Sequence, residues 1–213
     1  MTSAESGTLH PGVIIWFTGL SGAGKTTLCR CIAQTLSSHR LKNVLLDGDE
    51  IRATISSDLG FTRTDREENM CRLAALASFH ALQGVIVLVA AIAPYRGLRE
   101  HHRSASPVPF LEAFVDAPLT ICEARDPKGL YRAARAGTIQ RFTGIGDVYE
   151  PPLHPDIHCC TSRETITQSC LKVLDALRLV VLPLQLPTAA LSPTPAVERR
   201  VADTLPLPFA PVL

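Results

Sequence analysis

The sequence predicts an α/β fold, with a parallel sheet in the middle layer and helices packed on both of its faces. Three observations carry that prediction. Apolar runs at 13–17, 43–46, 85–92 and 110–115 have the length and composition of strands, and 156–161 is a further strand candidate. Stretches of helical period alternate with them, as parallel strands joined by right-handed crossovers require. A glycine-rich stretch, GLSGAGKTT from Gly19 to Thr27, stands where the first strand gives way to the first helix.

In chain order, Val13 to Phe17 reads as a buried strand and Lys25 to Ser38 as the helix after the glycine-rich loop. Asn43 to Leu46 is a second strand ending in Asp47-Gly48-Asp49, and a short helix is expected through Arg52 and Ile55. Leu59-Gly60-Phe61 reads as a turn. Asp65 with Glu68 three residues on has the form of a capping box for a helix carrying Leu73, Leu76, Ala77 and Leu82, with Gly84 as its stop. Val85 to Ile92 is apolar almost throughout, as a central parallel strand buried on both faces would be. Phe110 to Val115 follows as a strand. A helix from Leu119 is interrupted at Asp126-Pro127-Lys128-Gly129 and resumes from Leu130 to Ala136. Residues 137–150 read as loop, Asp156 to Thr161 as a last strand, and Glu164 to Leu179 as an amphipathic helix.

Length and composition bound the function. The 213 residues suit one domain, expected over 12–180, with a flexible stretch at 1–11. The region 181–213 is rich in proline and lacks a period; an extended or disordered tail, a linker of a longer protein and a mistranslated end all fit it. Net charge is +1, so nothing points to nucleic acid or an anionic membrane as partner. The seven cysteines lack paired C-x-x-C spacing, which argues against a disulfide scaffold or zinc site and for small buried hydrophobes. The polar start is no signal peptide and the apolar run at 84–94 is too short to span a bilayer, so a reducing cytoplasmic compartment is expected.

Gly19, Gly24, Lys25 and Thr26 spell G-x-x-x-x-G-K-[ST], the phosphate loop of nucleoside triphosphate-binding proteins. Glycines allow successive backbone N–H groups to curl around phosphate oxygens, and the helix that follows aims its positive end at the same anion. Gly19, Ser21, Gly22, Ala23, Gly24, Lys25, Thr26 and Thr27 are therefore the expected ATP-binding residues, with Lys25 on the β/γ-phosphates and the Thr26 hydroxyl on Mg²⁺. The fold expectation sharpens to a three-layer P-loop NTPase domain. Motors and switches carry an Asp at the end of a hydrophobic strand, whereas the run at 85–92 ends in Ala93-Pro94. The carboxylates stand after the second strand instead. Period-two alternation sets Asp47 and Asp49 on one side, where they could share the roles of metal partner and acceptor-hydroxyl base. Lys25, Asp47 and Asp49 are the catalytic candidates, and Thr26 and Asp47 the metal candidates. Arg66, Lys128 and Arg141 fit an anionic pocket and a mobile lid, while Arg132 and Arg135 read as a solvated basic face.

Seven stretches resemble the adenylylsulfate kinase (APS kinase) family: WFTGLSGAGKTT (Trp16 to Thr27), LLDGD (Leu45 to Asp49), DLGF (Asp58 to Phe61), DREEN (Asp65 to Asn69), APYR (Ala93 to Arg96), DAPLTICEARDPKGLYRAARAG (Asp116 to Gly137) and FTGIG (Phe142 to Gly146). The DPKGLY and FTGI stretches together are far more specific than the phosphate loop. The resemblance implies transfer of the ATP γ-phosphoryl to the 3′-hydroxyl of adenosine 5′-phosphosulfate (APS), giving PAPS and ADP. It implies that Asp49, Arg52, Arg66 and Asn69 bind APS, that Phe61 and Phe142 sandwich its adenine, and that Ile92, Ala93, Pro94, Tyr95, Arg96 and Gly97 line the same pocket. Lys128 would belong to the lid on the ATP side. A homodimer is also implied, as is a tie to ATP sulfurylase or a place as the kinase part of a PAPS synthase. The alternatives are a P-loop kinase for another nucleoside or small alcohol, against which Arg66, Asn69 and the two Phe residues argue, and a non-catalytic nucleotide-binding regulatory domain associated with ATP sulfurylase. The chain departs from the family pattern at Glu50 (usually Asn), Ala93 (usually Ser), Leu98 (usually Asp) and Cys71 (usually Arg), and the aspartate expected after FTGI is displaced to Asp147.

Overall fold

The computed structural model describes residues 12–181. The expectations for 1–11 and for the proline-rich region from 182 onward lie outside the described residues. The elements run β1 (Val13–Thr18), α1 (Lys25–Ser38), β2 (Asn43–Asp47), α2 (Gly48–Ala53), α3 (Arg63–Ala81), β3 (Ile86–Ala90), α4 (Arg96–Ser104), β4 (Phe110–Asp116), α5 (Leu119–Arg125), α6 (Leu130–Arg135), β5 (Ile157–Cys160) and α7 (Ile166–Val181). The strands form one five-stranded sheet in the order β2-β3-β1-β4-β5, and every pairing is parallel.

Why β1 lies at the centre follows from its composition. All six of its residues are buried, as a strand covered on both faces must be. Alternation divides them between two cores. Val13, Ile15 and Phe17 join Leu28, Ile32 and Leu36 of α1 and Val173, Leu174 and Leu177 of α7. Ile14 and Trp16 join Ile51 of α2 and Met70, Leu73 and Ala77 of α3 on the other face. This is the three-layer P-loop arrangement. Five of the cysteines (29, 31, 122, 159 and 170) are buried, as small hydrophobes would be; Cys71 is exposed and Cys160 half-buried.

The structure corrects several element ends. The box that caps α3 is formed by Thr62 and Asp65, not by Asp65 and Glu68. The Asp65 backbone N–H bonds the Thr62 hydroxyl while its carboxylate accepts from the Thr62 N–H. Helix α2 stops at Ala53, short of Ile55. Helix α7 starts at Ile166 because Glu164 is drawn off to accept from the Cys160 N–H, the Ser169 hydroxyl and Lys172. Helix α4 carries too few apolar residues to announce itself. The break between α5 and α6 falls where expected: Asp126 accepts from the backbone N–H groups of Tyr131 and Arg132, both at 3.0 Å, and so starts α6.

Candidate functional site

The phosphate loop bridges β1 and α1 at the C-terminal edge of the sheet, where ligands of open parallel sheets collect. Its backbone needs glycine. A Cβ on Gly19 would stand 2.2 Å from the Val115 carbonyl oxygen, and Gly24, which opens α1, has φ 103°. Carbonyl groups of the loop are taken up by side chains from elsewhere. Tyr131 Oη donates to Ser21 O at 2.9 Å, Arg125 to Gly22 O at 3.2 Å, and Thr161 Oγ1 to Ala23 O at 2.7 Å. These three supports were not legible in the sequence, because each depends on a contact more than a hundred residues away in the chain.

Lys25 is buried, and its Nζ donates to Gly19 O at 2.9 Å and Leu20 O at 2.8 Å. Burial lowers its pKa to about 8, opposed first by the carboxylate charge of Asp49 and, more weakly, of Asp47, with Lys128 adding to the depression. Lys25, Asp47, Asp49 and Lys128 thus share one electrostatic neighbourhood. The Thr26 hydroxyl donates to Asp47 Oδ2 at 2.7 Å. Asp47 is 4% exposed, and its other oxygen caps α2 by accepting from the Asp49 N–H at 2.9 Å. A helix-turn hydroxyl beside a carboxylate is an all-oxygen donor set, which fits a hard cation such as Mg²⁺. Ser21, Gly22, Thr26 and Thr27 are partly exposed along the same loop and first helical turn.

One expectation is overturned. Asp47 and Asp49 do not share a side by strand alternation, because β2 ends at Asp47 and the chain turns into α2 at Gly48. Asp47 is buried against Thr26, whereas the Asp49 side chain is 65% exposed and forms an ion pair with Lys128. The sequence expectation placed Lys128 on the nucleotide side and Asp49 on the acceptor side. Here they meet across the gap.

The expected acceptor residues surround the neighbouring opening. Thr18 Oγ1, at the end of β1, donates to Ile92 O at 2.7 Å and accepts from Tyr149 Oη at 3.0 Å. Ile92 to Arg96 is therefore tied to the head of the phosphate loop. Ala93 and Pro94 are buried and Gly97 is exposed. Ala93 holds φ 47°, an unusual conformation for a residue with a side chain. Its carbonyl accepts from Arg99 at 2.6 Å. The Arg63 guanidinium lies over the Tyr95 ring at 4.6 Å. Arg96 bonds Glu150 and Pro151.

Arg66 is buried and held by four protein acceptors: Phe61 O at 3.1 Å, Thr143 Oγ1 at 2.5 Å, Arg141 O at 2.6 Å and Asp147 Oδ2 at 3.1 Å. The displaced Asp147 is thus its ion-pair partner. Arg52 lies near enough to be lowered in pKa, first by burial and then by the Arg66 charge. Two guanidiniums that repel each other across an opening would welcome an anion. Asn69 is buried with its Oδ1 lacking a hydrogen-bond partner, as an atom reserved for a ligand would be. Phe61 is exposed with the Arg52 guanidinium 4.8 Å from its ring centre. Phe142 is buried, edge-on to Tyr131 at 4.9 Å, and offers little free face in this state. Of the departures from the family pattern, Glu50 and Cys71 are exposed, and Leu98 packs on the α3-side core.

The sequence reading missed Arg99 and Glu112. They form a buried ion pair at 2.6 Å, and Arg99 also donates to Glu150 O at 2.7 Å. This pins the segment after β3 to the loop before β5. A charged residue at an inward position of β4 was the available signal.

Known proteins fit this geometry. A sequence model of the adenylylsulphate kinase family matches residues 11–160. An adenylyl-sulfate kinase of Synechococcus sp. (strain JA-3-3Ab) is 52% identical over 167 residues, covering 78% of this chain and 94% of that protein. One from Yersinia pestis is 46% identical over 170 residues, 79% of each chain. The structure of the Mycobacterium tuberculosis APS kinase CysC, in complex with AMPPNP and APS, superposes with a TM-score of 0.76 at 40% identity, covering 79% of this chain and 99% of that one. The phosphate loop, the Thr26–Asp47 pair and the extent of these matches lead to one conclusion: the chain belongs to the adenylylsulfate kinase family.

Proposed function

We propose that the chain catalyses transfer of the γ-phosphoryl group of ATP to the 3′-hydroxyl of APS, giving PAPS and ADP. The observation that carries this reading is the bond from Thr18 to Ile92 O, which holds the expected acceptor segment against the phosphate loop. In the step itself the 3′-oxygen bonds to the γ-phosphorus and the bond from that phosphorus to the β–γ bridging oxygen breaks. The hydroxyl proton passes to a carboxylate. Asp49, exposed in the opening, is placed to receive it and to hold the acceptor. Asp47, buried against the Thr26 hydroxyl, is suited to the metal instead. Thr26 and Asp47 would hold Mg²⁺, which when bound neutralises charge on the phosphate oxygens. Lys25 leaves its two loop carbonyls for those same oxygens. Gly19 to Thr27 bind the triphosphate, with Lys128 closing over it. Arg52, Arg66 and Asn69 take the phosphosulfate and ribose side, with Phe61 and Phe142 about the adenine. A homodimer, a cytoplasmic location and a functional tie to ATP sulfurylase belong to the same reading.

Ala93 makes the route direct. Its side chain has no hydroxyl and is 3% exposed, so no phosphoserine can form there. In-line transfer requires only a positioned hydroxyl, the metal and charge stabilisation by Lys25 and loop amides. Incubation with γ-labelled ATP alone is expected to leave the protein unlabelled, and added APS to move the label into PAPS. Chemically competent label on the protein would overturn direct transfer. Nucleotide binding without PAPS formation would overturn the kinase reading and favour a regulatory domain.

A further inference from the structure

At the far edge of the sheet, the register of β4 and β5 sets Phe114 opposite His158 and Asp116 opposite Cys160. By the two-residue period, Asp116, His158 and Cys160 share one face. One ligand atom from each lies within 4.8 Å of the other two. His158 Nε2 stands 3.0 Å from Asp116 Oδ2 and 3.6 Å from Cys160 Sγ. We propose that these three side chains form a binding site for a thiophilic divalent cation, zinc in particular, outside the phosphoryl-transfer site.

Two geometric arguments support a metal over the alternatives. The first is distance. Zn–S of about 2.3 Å and Zn–N of about 2.05 Å, opened to a tetrahedral angle, put sulfur and nitrogen about 3.6 Å apart. The Cys160–His158 separation meets that value. The same arithmetic for nitrogen and oxygen ligands gives about 3.3 Å, so Asp116 needs to retreat only slightly when a cation replaces the proton between it and His158. The second argument is convergence. A nucleophilic Cys-His-Asp relay uses opposite nitrogens of the imidazole, one for the carboxylate and one for the thiol. Here the same Nε2 faces both partners, the arrangement of ligands around a shared centre and not of a relay.

The surroundings suit the site. The His158 ring stacks on Phe114 with centroids 5.1 Å apart, which orients it. Glu164 Oε1 accepts from the Cys160 N–H, and Lys172, bonded to His158 O, has its charge matched by Glu164. The set of one thiolate, one imidazole and one carboxylate leaves a fourth position for water. The side chains of His158 and Asp116 are 49% and 39% exposed, so a cation can enter. Thr161, the next residue, bonds both Asp116 O and Ala23 O in the phosphate loop. A cation here would clamp β5 to β4 beside that support.

The test is competition for Zn²⁺ between metal-free full-length protein and a chromophoric chelator. One equivalent is expected to bind. Cys160→Ser and His158→Ala should each weaken binding by about a hundredfold. Cys71→Ser should not. Co²⁺ in place of Zn²⁺ should give a thiolate-to-cobalt charge-transfer band that Cys160→Ser abolishes. Zn²⁺ should also raise the melting temperature of the parent protein but not of the two variants. PAPS formation by the metal-free variants is expected to match the parent, which also reports that they fold. Absence of stoichiometric binding, or binding and a cobalt band that persist in both variants, would overturn the site.

Discussion

The two halves of the opening are built differently. On the nucleotide side the groups are already bonded, and Lys25 and Asp47 are buried: Lys25 to loop carbonyls, Thr26 to Asp47, Asp47 to the start of α2. On the acceptor side the corresponding groups are largely exposed and partnered with one another: Asp49 with Lys128, Arg52 over Phe61. Arg66, Asn69 and Phe142 are buried exceptions, with Arg66 spent on holding the 141–147 loop. The difference teaches that a phosphate cradle can be made in advance by the backbone and its supports. A pocket for a large, doubly anionic acceptor has to be assembled by exchanging internal partners for the ligand.

Substitutions should separate the halves. The largest effect is expected of Lys25→Ala, which removes the buried ammonium bonded to the Gly19 and Leu20 carbonyls of the phosphate loop. The rate of PAPS formation at saturating ATP should fall by about a thousandfold while the circular dichroism spectrum stays unchanged. Wild-type turnover would remove Lys25 from the mechanism. Asp47→Asn should follow, lowering kcat about a hundredfold through its lost carboxylate beside Thr26. Asp49→Asn should instead raise the KM for APS about tenfold, with the KM for ATP nearly constant. A reversed pattern in steady-state kinetics would exchange the two roles.

A smaller effect comes from pH. Free Lys25 loses its proton near pH 8 because burial disfavours its charge. In the proposed mechanism its charged form binds phosphate, so kcat/KM for ATP should be full below pH 8 and fall by roughly tenfold per unit above it. Bound phosphates favour the charged form, so kcat should hold to higher pH. A kcat/KM profile flat through that range would contradict the burial argument. The smallest effect is expected from deleting residues 182–213, which carry no regular period: melting temperature and activity should stay unchanged. A large loss of either would show that this region docks on the domain.

The contrast between the halves also explains what was legible in the sequence. The phosphate loop is local chemistry on consecutive residues, and β1 and β3 were recognisable because buried parallel strands are near-continuously apolar. Asp47 and Asp49 were identified as a pair but misjudged in geometry. Strand alternation was carried one residue too far, since Gly48 already opens α2. Helix α4 was missed because its run Arg96 to Ser104 is mostly polar, and it packs through Leu98, through His102 on Trp16 and through a buried arginine, Arg99, paired with Glu112. The Asp116–His158–Cys160 group was hidden for another reason: His158 and Cys160 share a face by strand alternation, but Asp116 joins them only through the β4–β5 register, which no spacing in the chain reveals.

Hydrogen exchange measured by mass spectrometry is the most direct test of a prebuilt donor half and an assembled acceptor half. Peptides covering 13–36 should be protected in the free protein and change little when an unreactive ATP analogue is added. Peptides covering 49–66 and 126–147 should exchange fast in the free protein and slow by at least about tenfold once the analogue and APS are both bound. The opposite result would contradict the account: a phosphate loop that becomes protected only with nucleotide, beside acceptor segments already slow in the free protein.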